Sequence, residues 1–499
     1  MLFTEPTFLF LFLPVLLALY FATLSREHAA YGNWVLLVAS VLFYAIGGGA
    51  FTWLMLGSIA FNYGMAIAVD RVHGTPAATR RLAFAVTVNL IVLGIFKYAN
   101  FFADNVNALF TTAGIPPLVV PRVLLPIGIS FFTFHAISYV VDVYRRDATA
   151  QKSPVHAALY LLLFPQLIAG PIIRYRDIAD QLARRSVTVD DFAYGIRRFV
   201  IGLAKKALVA NIGAGPADKI FALPAGELSA PHAWLGVVCY TLQIYFDFSG
   251  YSDMAIGLGR MFGFRFPENF RWPYVAQSVT GFWRRWHISL STWFRDYLYI
   301  PLGGNRVSPA RRYTNLVTVF FLCGLWHGAS WNFVIWGLWH GAFLVIERVL
   351  SYRGDRKARR EQNGSAVSAV SSGPLAWPIW PHLYTLAIVM IGWVFFRADT
   401  LSGAIAFLKA MAGLATAAPT PYTVWWYLTP ELWLALAAGA IGSTPWVPAV
   451  AARLARAGAG QGEPRGLQLL STTMLMALLF TSILQVAART YNPFIYFRF

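Results

Sequence analysis

The sequence predicts an all-α membrane protein that crosses the bilayer many times. Hydrophobic residues make up 58% of its 499 residues and charged residues only 12%, which is far from the balance of a water-soluble domain. Apolar stretches of the length that a helix needs to cross a hydrocarbon core recur along the chain, and we count about ten of them. Cys239 and Cys323 both lie inside such stretches, so a disulfide framework is not expected.

The predicted crossings are joined by short links. They are residues 7–24, 33–47, 51–69, 82–102, 125–143, 199–212, 234–257, 383–396, 424–441 and 467–487. Three further apolar regions, 160–173, 275–300 and 315–350, have arginine on both flanks. Because arginine favours the cytoplasmic side, each region should enter and leave the membrane from that side. We therefore predict re-entrant or broken helices, whose irregular backbone must lie inside protein or line a wet funnel.

Lysine and arginine also predict the orientation of the chain. The net charge is +18, and the basic residues cluster in short links rather than in one basic module, so nucleic-acid binding is not expected. Arg71, Arg80 and Arg81 follow the third crossing, and Arg145 and Arg146 follow the fifth. These links belong in the cytoplasm, which places both ends of the chain outside. We predict a flexible cytoplasmic loop at about residues 351–374, where a basic run meets a Ser/Gly/Ala stretch.

The segment QIYFDFSGYSDMAIGLGR places Asp247, Ser249 and Asp253 inside an apolar stretch. Ionisable groups at membrane depth are costly and point to a functional or a paired role. The three residues do not share one helical face, and Gly250 offers a place for the helix to break. Two interpretations stay open: the carboxylates pair with arginine or backbone groups and support the funnel, or they titrate during turnover.

A second segment, FWRRWHISLSTWFRDYLYIPLGGNR, carries arginine and histidine at regular intervals. As one helix it would place Arg284, His287, Ser291 and Arg295 on one stripe, because they are three or four residues apart. A stripe with two guanidinium groups suits the phosphates of a nucleotide-bearing donor. The alternative is an interfacial helix whose arginines contact lipid headgroups.

The string GLWHGA occurs twice and places His327 and His340 13 residues apart (340 − 327). On an ideal helix the two side chains would point roughly 140° away from each other, since each residue turns the helix by about 100°. They can face one site only if the helix breaks, and Gly328 with Ser330 and Asn332 offers such a break. A turn there would present His327 at the tip of the funnel, whereas His340 would form a buried hydrogen bond.

A neutral imidazole at membrane depth can take a proton from an alcohol and return one to a leaving group, which is the chemistry of acyl transfer. A lone buried histidine is more commonly a packed or hydrogen-bonded residue, as we expect for His135 and His382. The sequence carries no Gly-x-Ser-x-Gly elbow, phosphate-binding loop or metal-ligand spacing, so hydrolase, nucleotide-triphosphatase and zinc functions are not expected. His327 is the candidate for a reactive centre.

At these residues the sequence resembles the membrane-bound O-acyltransferase superfamily, in its branch of bacterial alginate O-acetylation membrane proteins. The resemblance covers most of the chain, and strings of this length in this order are highly specific. They are FLFLFLPV, PIGISFFTFHAISYVVDVYRRD, FPQLIAGPIIRY, QIYFDFSGYSDMAIGLGRMFGF, FWRRWHISLSTWFRDYLYIPLGGNR and GLWHGASWNF.

The resemblance implies a single transmembrane domain over residues 1–499, with a ring of helices around a central tunnel and a catalytic core at about residues 120–350. It implies an enzyme of the bacterial inner membrane that moves an acetyl group from a cytoplasmic thioester, acetyl-CoA or an acyl carrier protein, for O-acetylation of an exported or cell-wall polysaccharide such as alginate. No resident cofactor or metal is implied. The expected partner is a periplasmic acetyltransferase of the SGNH type, AlgJ- or AlgX-like, which places the acetyl group on the polymer.

By the same resemblance, His327 matches the catalytic histidine, and His287 matches the second family position, 40 residues earlier (327 − 287). His327 would act as general base on the acceptor hydroxyl, and His287 would orient the acceptor or stabilise charge on the carbonyl oxygen. The residues that would bind the donor's phosphates are Arg284, Arg285 or Arg295. The supporting residues would be Asp247, Ser249, Asp253 and Asn332.

The outer-face tail, residues 488–499, ends in YNPFIYFRF. Tyr496 could receive the acetyl group as a transient phenol ester and pass it to the partner; the alternative is an aromatic anchor at the membrane interface. Two other classes of function stay open. An acyl-group transporter predicts paired inverted halves, and we see no internal symmetry beyond the GLWHGA echo. A non-catalytic scaffold would feed a separate periplasmic acetylase.

Overall fold

The computed structural model describes residues 1–22, 29–362, 379–415, 418, 422–457 and 465–488. Within these residues all regular secondary structure is helical, which confirms the predicted all-α class. The α-helices are, in chain order, α1 (Leu13–Phe21), α2 (Ala29–Gly48), α3 (Phe51–Arg71), α4 (Pro76–Thr112), α5 (Ile129–Arg145), α6 (Pro154–Leu162), α7 (Phe164–Leu167), α8 (Tyr175–Ala183), α9 (Val189–Ala204), α10 (Asn211–Phe221), α11 (Ala230–Met261), α12 (Val279–Trp283), α13 (Ile288–Phe294), α14 (Pro309–His327), α15 (Trp331–Gln362), α16 (Ile379–Arg397), α17 (Leu401–Met411), α18 (Val424–Tyr427), α19 (Pro430–Gly442), α20 (Trp446–Ala457) and α21 (Arg465–Ala488).

Four short helical segments of other types accompany the α-helices. Residues Phe8–Phe12, Lys205–Ala210 and Arg295–Tyr299 form π-helical turns, and Pro273–Val275 forms a 3₁₀ turn. π-helical turns frequently occur at functional positions of helices. Two of these three carry basic residues, Lys205 and Lys206 in one and Arg295 in the other.

Several helices are long and apolar enough to cross a membrane, which confirms a multi-pass membrane protein. Within the described residues six helices meet this condition, and a bent pair, Pro430–Gly442 with Trp446–Leu454, makes up to seven. The six are Ala30–Gly48, Phe51–Arg71, Pro76–Thr112, Trp331–Leu350, Ile379–Arg397 and Gln468–Ala488. The sequence predicted about ten crossings, and four of those fall on short helices or on helices that carry several charges.

The three predicted irregular regions all contain breaks. In the first, α6 and α7 are followed by a non-helical stretch from Gly170 to Arg174. In the second, α12 and α13 are separated by four residues, 284–287. In the third, α14 and α15 form a hairpin whose turn is Gly328–Ser330. The first part of the predicted cytoplasmic loop is helical, because α15 continues to Gln362; the rest of that loop, residues 363–374, lies outside the described part of the chain.

The chain divides into two compact units. The first comprises residues 1–211, 245–268 and 463–499, and the second comprises residues 212–244 and 269–462. Asp247, Ser249 and Asp253 belong to the first unit. The two histidines singled out by the sequence, His287 and His327, belong to the second.

In the first unit, α9 and α11 pack with their backbones in close approach. A Cβ on Gly202 would lie 2.5 Å from the carbonyl oxygen of Gly250, and one on Gly257 would lie 2.6 Å from that of Gly195. Small residues permit this kind of approach between membrane helices. Gly250 therefore serves helix packing, and the predicted helix break at this glycine is wrong: α11 runs on from Ala230 to Met261.

In the second unit, α14 and α15 also pack through glycine. A Cβ on Gly324 would lie 2.3 Å from the carbonyl oxygen of Phe333, and one on Gly337 would lie 2.2 Å from that of Phe320. Only glycine leaves room for two helices at this separation. This close packing holds the turn of the hairpin, and with it His327, in one place.

Candidate active site

His327 is the last residue of α14, at the turn of the hairpin. The backbone of Gly328 is extended (φ −165°, ψ 152°), so the helix stops there, as the sequence predicted. The imidazole is 6% exposed. It packs edge-on against the aromatic rings of Trp326, Trp336 and Phe396, with ring centroids 4.9, 4.9 and 5.2 Å away. The ring is thus held between aromatic walls.

His287 lies in the four-residue connection between α12 and α13. Its backbone is left-handed (φ 42°, ψ 55°), a conformation that is uncommon for a residue with a Cβ. The predicted single helix through Arg284, His287, Ser291 and Arg295 is therefore wrong, because the chain turns at His287. The local reason is a helix that ends at Trp283 and a turn that tucks the histidine inward, to 1% exposure.

Trp326 connects the two histidines. Its indole lies 4.9 Å from the His327 ring and 6.3 Å from the His287 ring, measured between centroids. The structure thus gathers around one indole two imidazoles that are 40 residues apart in the sequence (327 − 287). Phe270 covers His287 from another side, with stacked rings 6.5 Å apart.

Asn269 is a buried residue of the site that sequence reasoning missed. Its side-chain oxygen Oδ1 lies 3.1 Å from Nδ1 of His287 and accepts hydrogen bonds from the backbone N–H and the hydroxyl of Ser289, at 3.2 and 2.9 Å. The backbone oxygen of Asn269 also accepts from the N–H of Ile288, at 2.9 Å. The two segments are further joined by the N–H of Arg271, which donates to the oxygen of Arg285 at 3.0 Å. This ladder holds the turn that carries His287.

Glu347 of α15 holds the other end of the same segment. Its carboxylate accepts from the backbone N–H groups of Val279 and Thr280, at 2.6 and 3.0 Å, and from the Thr280 hydroxyl at 2.8 Å. A carboxylate at a helix N-terminus satisfies donors that the helix itself leaves unpaired. Helix α12 is therefore fixed to the hairpin before it reaches His287.

The C-terminal end of α16 packs on the His327 side of the hairpin. The Asn332 side chain, which is buried, donates to the carbonyl oxygen of Ala398 at 2.6 Å. Two residues before Ala398, Phe396 forms one wall of the His327 site. Between them, Arg397 is 7% exposed, forms an ion pair with Asp218 and lies against the ring of Phe221.

The carboxylates of α11 form ion pairs in the first unit. Asp247 pairs with Lys206 at 2.7 Å, and both side chains are at most 3% exposed. Asp253 pairs with Arg198 and with Lys205, at 2.7 and 2.6 Å. The carboxylates are thus paired, as in the first of the two open interpretations, but with lysine as well as arginine; their support of the funnel stays a prediction. Ser249, two residues after Asp247, is also buried, at 1% exposure.

The three arginines proposed for donor binding differ in their surroundings. Arg284 and Arg285 are exposed, and Arg285 donates to the carbonyl oxygen of Arg271 at 3.4 Å. Arg295 is exposed as well, but its guanidinium contacts both oxygens of Asp296, at 2.6 and 3.2 Å. The fork of Arg295 is therefore already engaged by a carboxylate.

The remaining histidines behave differently from His327. His340 is fully buried in α15, and neither of its ring nitrogens has a hydrogen-bond partner among the described residues, so the expected buried hydrogen bond is not found there. His135 accepts from the N–H of Ile173 at 3.2 Å and thereby holds the non-helical stretch after α7. Tyr496, the proposed relay residue, lies outside the described residues.

The apolar helices define a polytopic membrane protein, with one buried histidine, His327, at the turn of a helix hairpin and another, His287, between α12 and α13. A family model described as MBOAT, membrane-bound O-acyltransferase family, matches residues 77–357, which is more than half of the chain. The chain therefore belongs to the membrane-bound O-acyltransferase family, as its motifs predicted.

Similar proteins extend over the whole chain. It is 43% identical to the probable alginate O-acetylase AlgI of Azotobacter vinelandii and 44% identical to that of Pseudomonas aeruginosa, with all of both chains covered in each case. It is 38% identical to the peptidoglycan O-acetyltransferase of Helicobacter pylori, over 83% of this chain and 80% of that protein. The chain is a multi-pass membrane O-acyltransferase.

Proposed function

We propose that this protein transfers an acetyl group from a cytoplasmic thioester across the inner membrane of a bacterium, for O-acetylation of an exported or cell-wall polysaccharide. The names of the relatives support acetyl as the acyl group and a surface polymer as the final acceptor. Among the polymers, alginate is favoured by the names of relatives that match over their full length.

The observation that carries the proposal is the shared indole of Trp326. The rings of His287 and His327 both lie against this indole, 6.3 and 4.9 Å from it between centroids, which supports a shared role for the two histidines. Acyl transfer to a hydroxyl needs a base that takes the proton and returns it to the leaving group, and histidine is the side chain best suited to do both near neutral pH. We assign this role to His327, at the turn of the hairpin.

The reaction that we propose balances without an acyl-enzyme. The His327 imidazole accepts the proton of the acceptor hydroxyl while the oxygen attacks the thioester carbonyl carbon. The carbon–sulfur bond then breaks, and the imidazolium gives its proton to the departing thiolate. His287 either orients the acceptor hydroxyl or stabilises the negative charge that develops on the carbonyl oxygen.

For the donor we propose acetyl-CoA or an acetylated acyl carrier protein, with no resident cofactor. Exposed guanidinium groups bind phosphates bidentately, and the exposure of Arg284 and Arg285, on the segment that carries His287, supports phosphate binding there. Arg295 is a weaker candidate, because Asp296 already occupies its fork. Lipid headgroups are the competing ligand for the same arginines.

We further propose that both ends of the chain face the periplasm, since the basic links around Arg71 and Arg146 belong in the cytoplasm. The C-terminal Tyr496 would then meet a periplasmic SGNH-type acetyltransferase and pass it the acetyl group as a phenol ester. Replacing Tyr496 by phenylalanine should abolish polysaccharide acetylation in cells. Full acetylation by this variant would show that Tyr496 is not the relay.

The central experiment supplies full-length protein in lipid nanodiscs with acetyl-labelled CoA and a soluble acceptor. We expect thioester cleavage by the wild type and a loss of about 10²- to 10⁴-fold in His327→Ala, the range for removal of a general base. Cleavage that is equal in both proteins would remove His327 from the mechanism. In sealed proteoliposomes, acetyl flux without cleavage would indicate a transporter instead.

A further inference from the structure

The side chain of Asn269 lies at hydrogen-bond distance from the His287 ring and bears on which ring nitrogen carries the hydrogen. Three groups converge on one oxygen of this buried amide: Nδ1 of His287, the backbone N–H of Ser289 and the Ser289 hydroxyl. Asn269, His287 and Ser289 are each at most 5% exposed, so bulk water does not compete for these contacts. The geometry is therefore set by the protein alone.

The backbone N–H of Ser289 identifies the Asn269 atom. An amide N–H can only donate, so the atom that it meets at 3.2 Å must be the amide oxygen and not the amide nitrogen. A rotated amide would place two donors against each other. The Asn269 oxygen is thus an acceptor toward all three groups.

The identity of that oxygen determines the tautomer of His287. Nδ1 lies 3.1 Å from an oxygen that has only lone pairs to offer, and a second lone pair on Nδ1 would repel it. Nδ1 must therefore carry the hydrogen and donate it. In the neutral ring the lone pair is then on Nε2, because a neutral imidazole has one donor and one acceptor nitrogen.

We infer that Asn269 is a positioning residue that makes His287 present a hydrogen-bond acceptor to the substrate. This inference rests on the proposed function and resolves the two roles left open for His287. A neutral ring with its lone pair at Nε2 can accept the hydrogen of the acceptor hydroxyl and aim its oxygen, but it cannot donate to the carbonyl oxygen of the thioester. His287 therefore orients the alcohol, and oxyanion stabilisation falls to other donors.

The tautomer is tested directly by nitrogen NMR. Full-length protein labelled with ¹⁵N-histidine in nanodiscs, compared with His287→Asn, identifies the His287 resonances. We expect the Nδ1 of His287 to be protonated in the wild type and to lose this preference in Asn269→Leu. A wild-type ring that is protonated at Nε2 overturns the inference. This readout does not depend on acyl transfer, so it separates the inference from a failure of the proposed function.

The catalytic consequence is tested by a pair of variants. Asn269→Leu removes the acceptor oxygen, and we expect kcat to fall by about 10- to 100-fold with KM for the donor unchanged, because the acceptor alone is misaligned. Asn269→Asp keeps an oxygen toward both Nδ1 and Ser289, and should recover most of kcat. Equal inactivity of the two variants, both folded, would contradict a role through the oxygen.

Asn89 provides the matched control for a lost buried amide. It is 5% exposed, and its side chain donates to the side-chain oxygen of Asn62 at 2.8 Å and to the backbone oxygen of Ala85 at 2.8 Å. Asn89→Leu should lower thermal stability while kcat per folded molecule stays at the wild-type level. A loss of kcat in this variant equal to that of Asn269→Leu would reduce the Asn269 effect to destabilisation and overturn the inference.

Discussion

Asn332, the second residue of α15, donates its side-chain amide to the carbonyl oxygen of Ala398, just beyond the last turn of α16, at 2.6 Å. This bond ties the turn that carries His327 to the segment that carries Phe396, one wall of the His327 site. The hairpin and α16 are therefore coupled at the point where the proposed base sits.

Asn332→Asp should destabilise the protein more than Asn332→Ala does. Alanine loses one hydrogen bond and leaves a partly buried carbonyl without this donor, a cost of about 1 kcal/mol in the free energy of unfolding. Aspartate keeps the size of the side chain but sets a carboxylate against the carbonyl oxygen. Thermal unfolding of the detergent-solubilised variants checks the order, and equal midpoints would argue against the Asn332–Ala398 bond.

His340→Ala should retain acyl transfer where His327→Ala does not. The two histidines sit in identical six-residue strings, and both are buried, so the pair is matched in chemistry and burial. His340 packs against Trp283 and Trp336, and its ring abuts the backbone of Gly392. Its loss should create a cavity that costs roughly 2–4 kcal/mol, with cleavage of labelled acetyl-CoA per folded molecule unchanged.

Removal of one partner from the Lys206–Asp247 pair should strongly lower the stability of the folded protein. Lys206→Ala leaves the Asp247 carboxylate buried without the ammonium beside it, which costs about 3–5 kcal/mol. The double variant Lys206→Met with Asp247→Leu should recover most of that loss, because apolar residues of similar size replace both charges. Expression level and thermal midpoint measure the effect.

An exposed ion pair is the natural control for this experiment. Arg122 and Asp104 are 2.8 Å apart, with side chains 69% and 53% exposed. Arg122→Ala should leave the midpoint almost unchanged, since exposed pairs contribute little. If it lowered the midpoint as much as Lys206→Ala does, burial would not be the cause of the difference.

Gly202→Ala should impair folding, whereas Gly57→Ala should not. A methyl group on Gly202 would meet the oxygen of Gly250 and the backbone nitrogen of Met254 at less than 3 Å, so α9 and α11 would have to separate. Gly57 in α3 has open space around the same position, and alanine there improves helix propensity. The yield of folded protein in size-exclusion chromatography distinguishes the two.

Local chemistry predicted some of these features and misled on others. The break after His327 could be predicted because Gly328 and the polar residues after it interrupt an apolar run. The turn at His287 could not, because the spacing of its neighbours imitates a helix. Gly250 carried an ambiguous signal, since a glycine in an apolar helix marks either a break or a close helix contact, and the partner helix decides which.

The contacts between distant residues were beyond sequence reasoning. Nothing in a loop asparagine 18 residues before His287 marks it as a hydrogen-bond partner (287 − 269). The same holds for Phe396 beside His327. The sequence predicted the histidines of the candidate site, whereas the residues that pack against them or hydrogen-bond to them are brought there by the tertiary structure.

The duplicated string GLWHGA shows how little six residues determine. Its first copy ends a helix at His327, where Gly328 is extended and lies against the ring of Phe333, and its second copy continues through the middle of α15. A search for this string alone would return two histidines with equal claim to be the base. Any transfer of a residue's role from one protein to another by such a string needs the flanking sequence, which here is what separates a terminus from an interior.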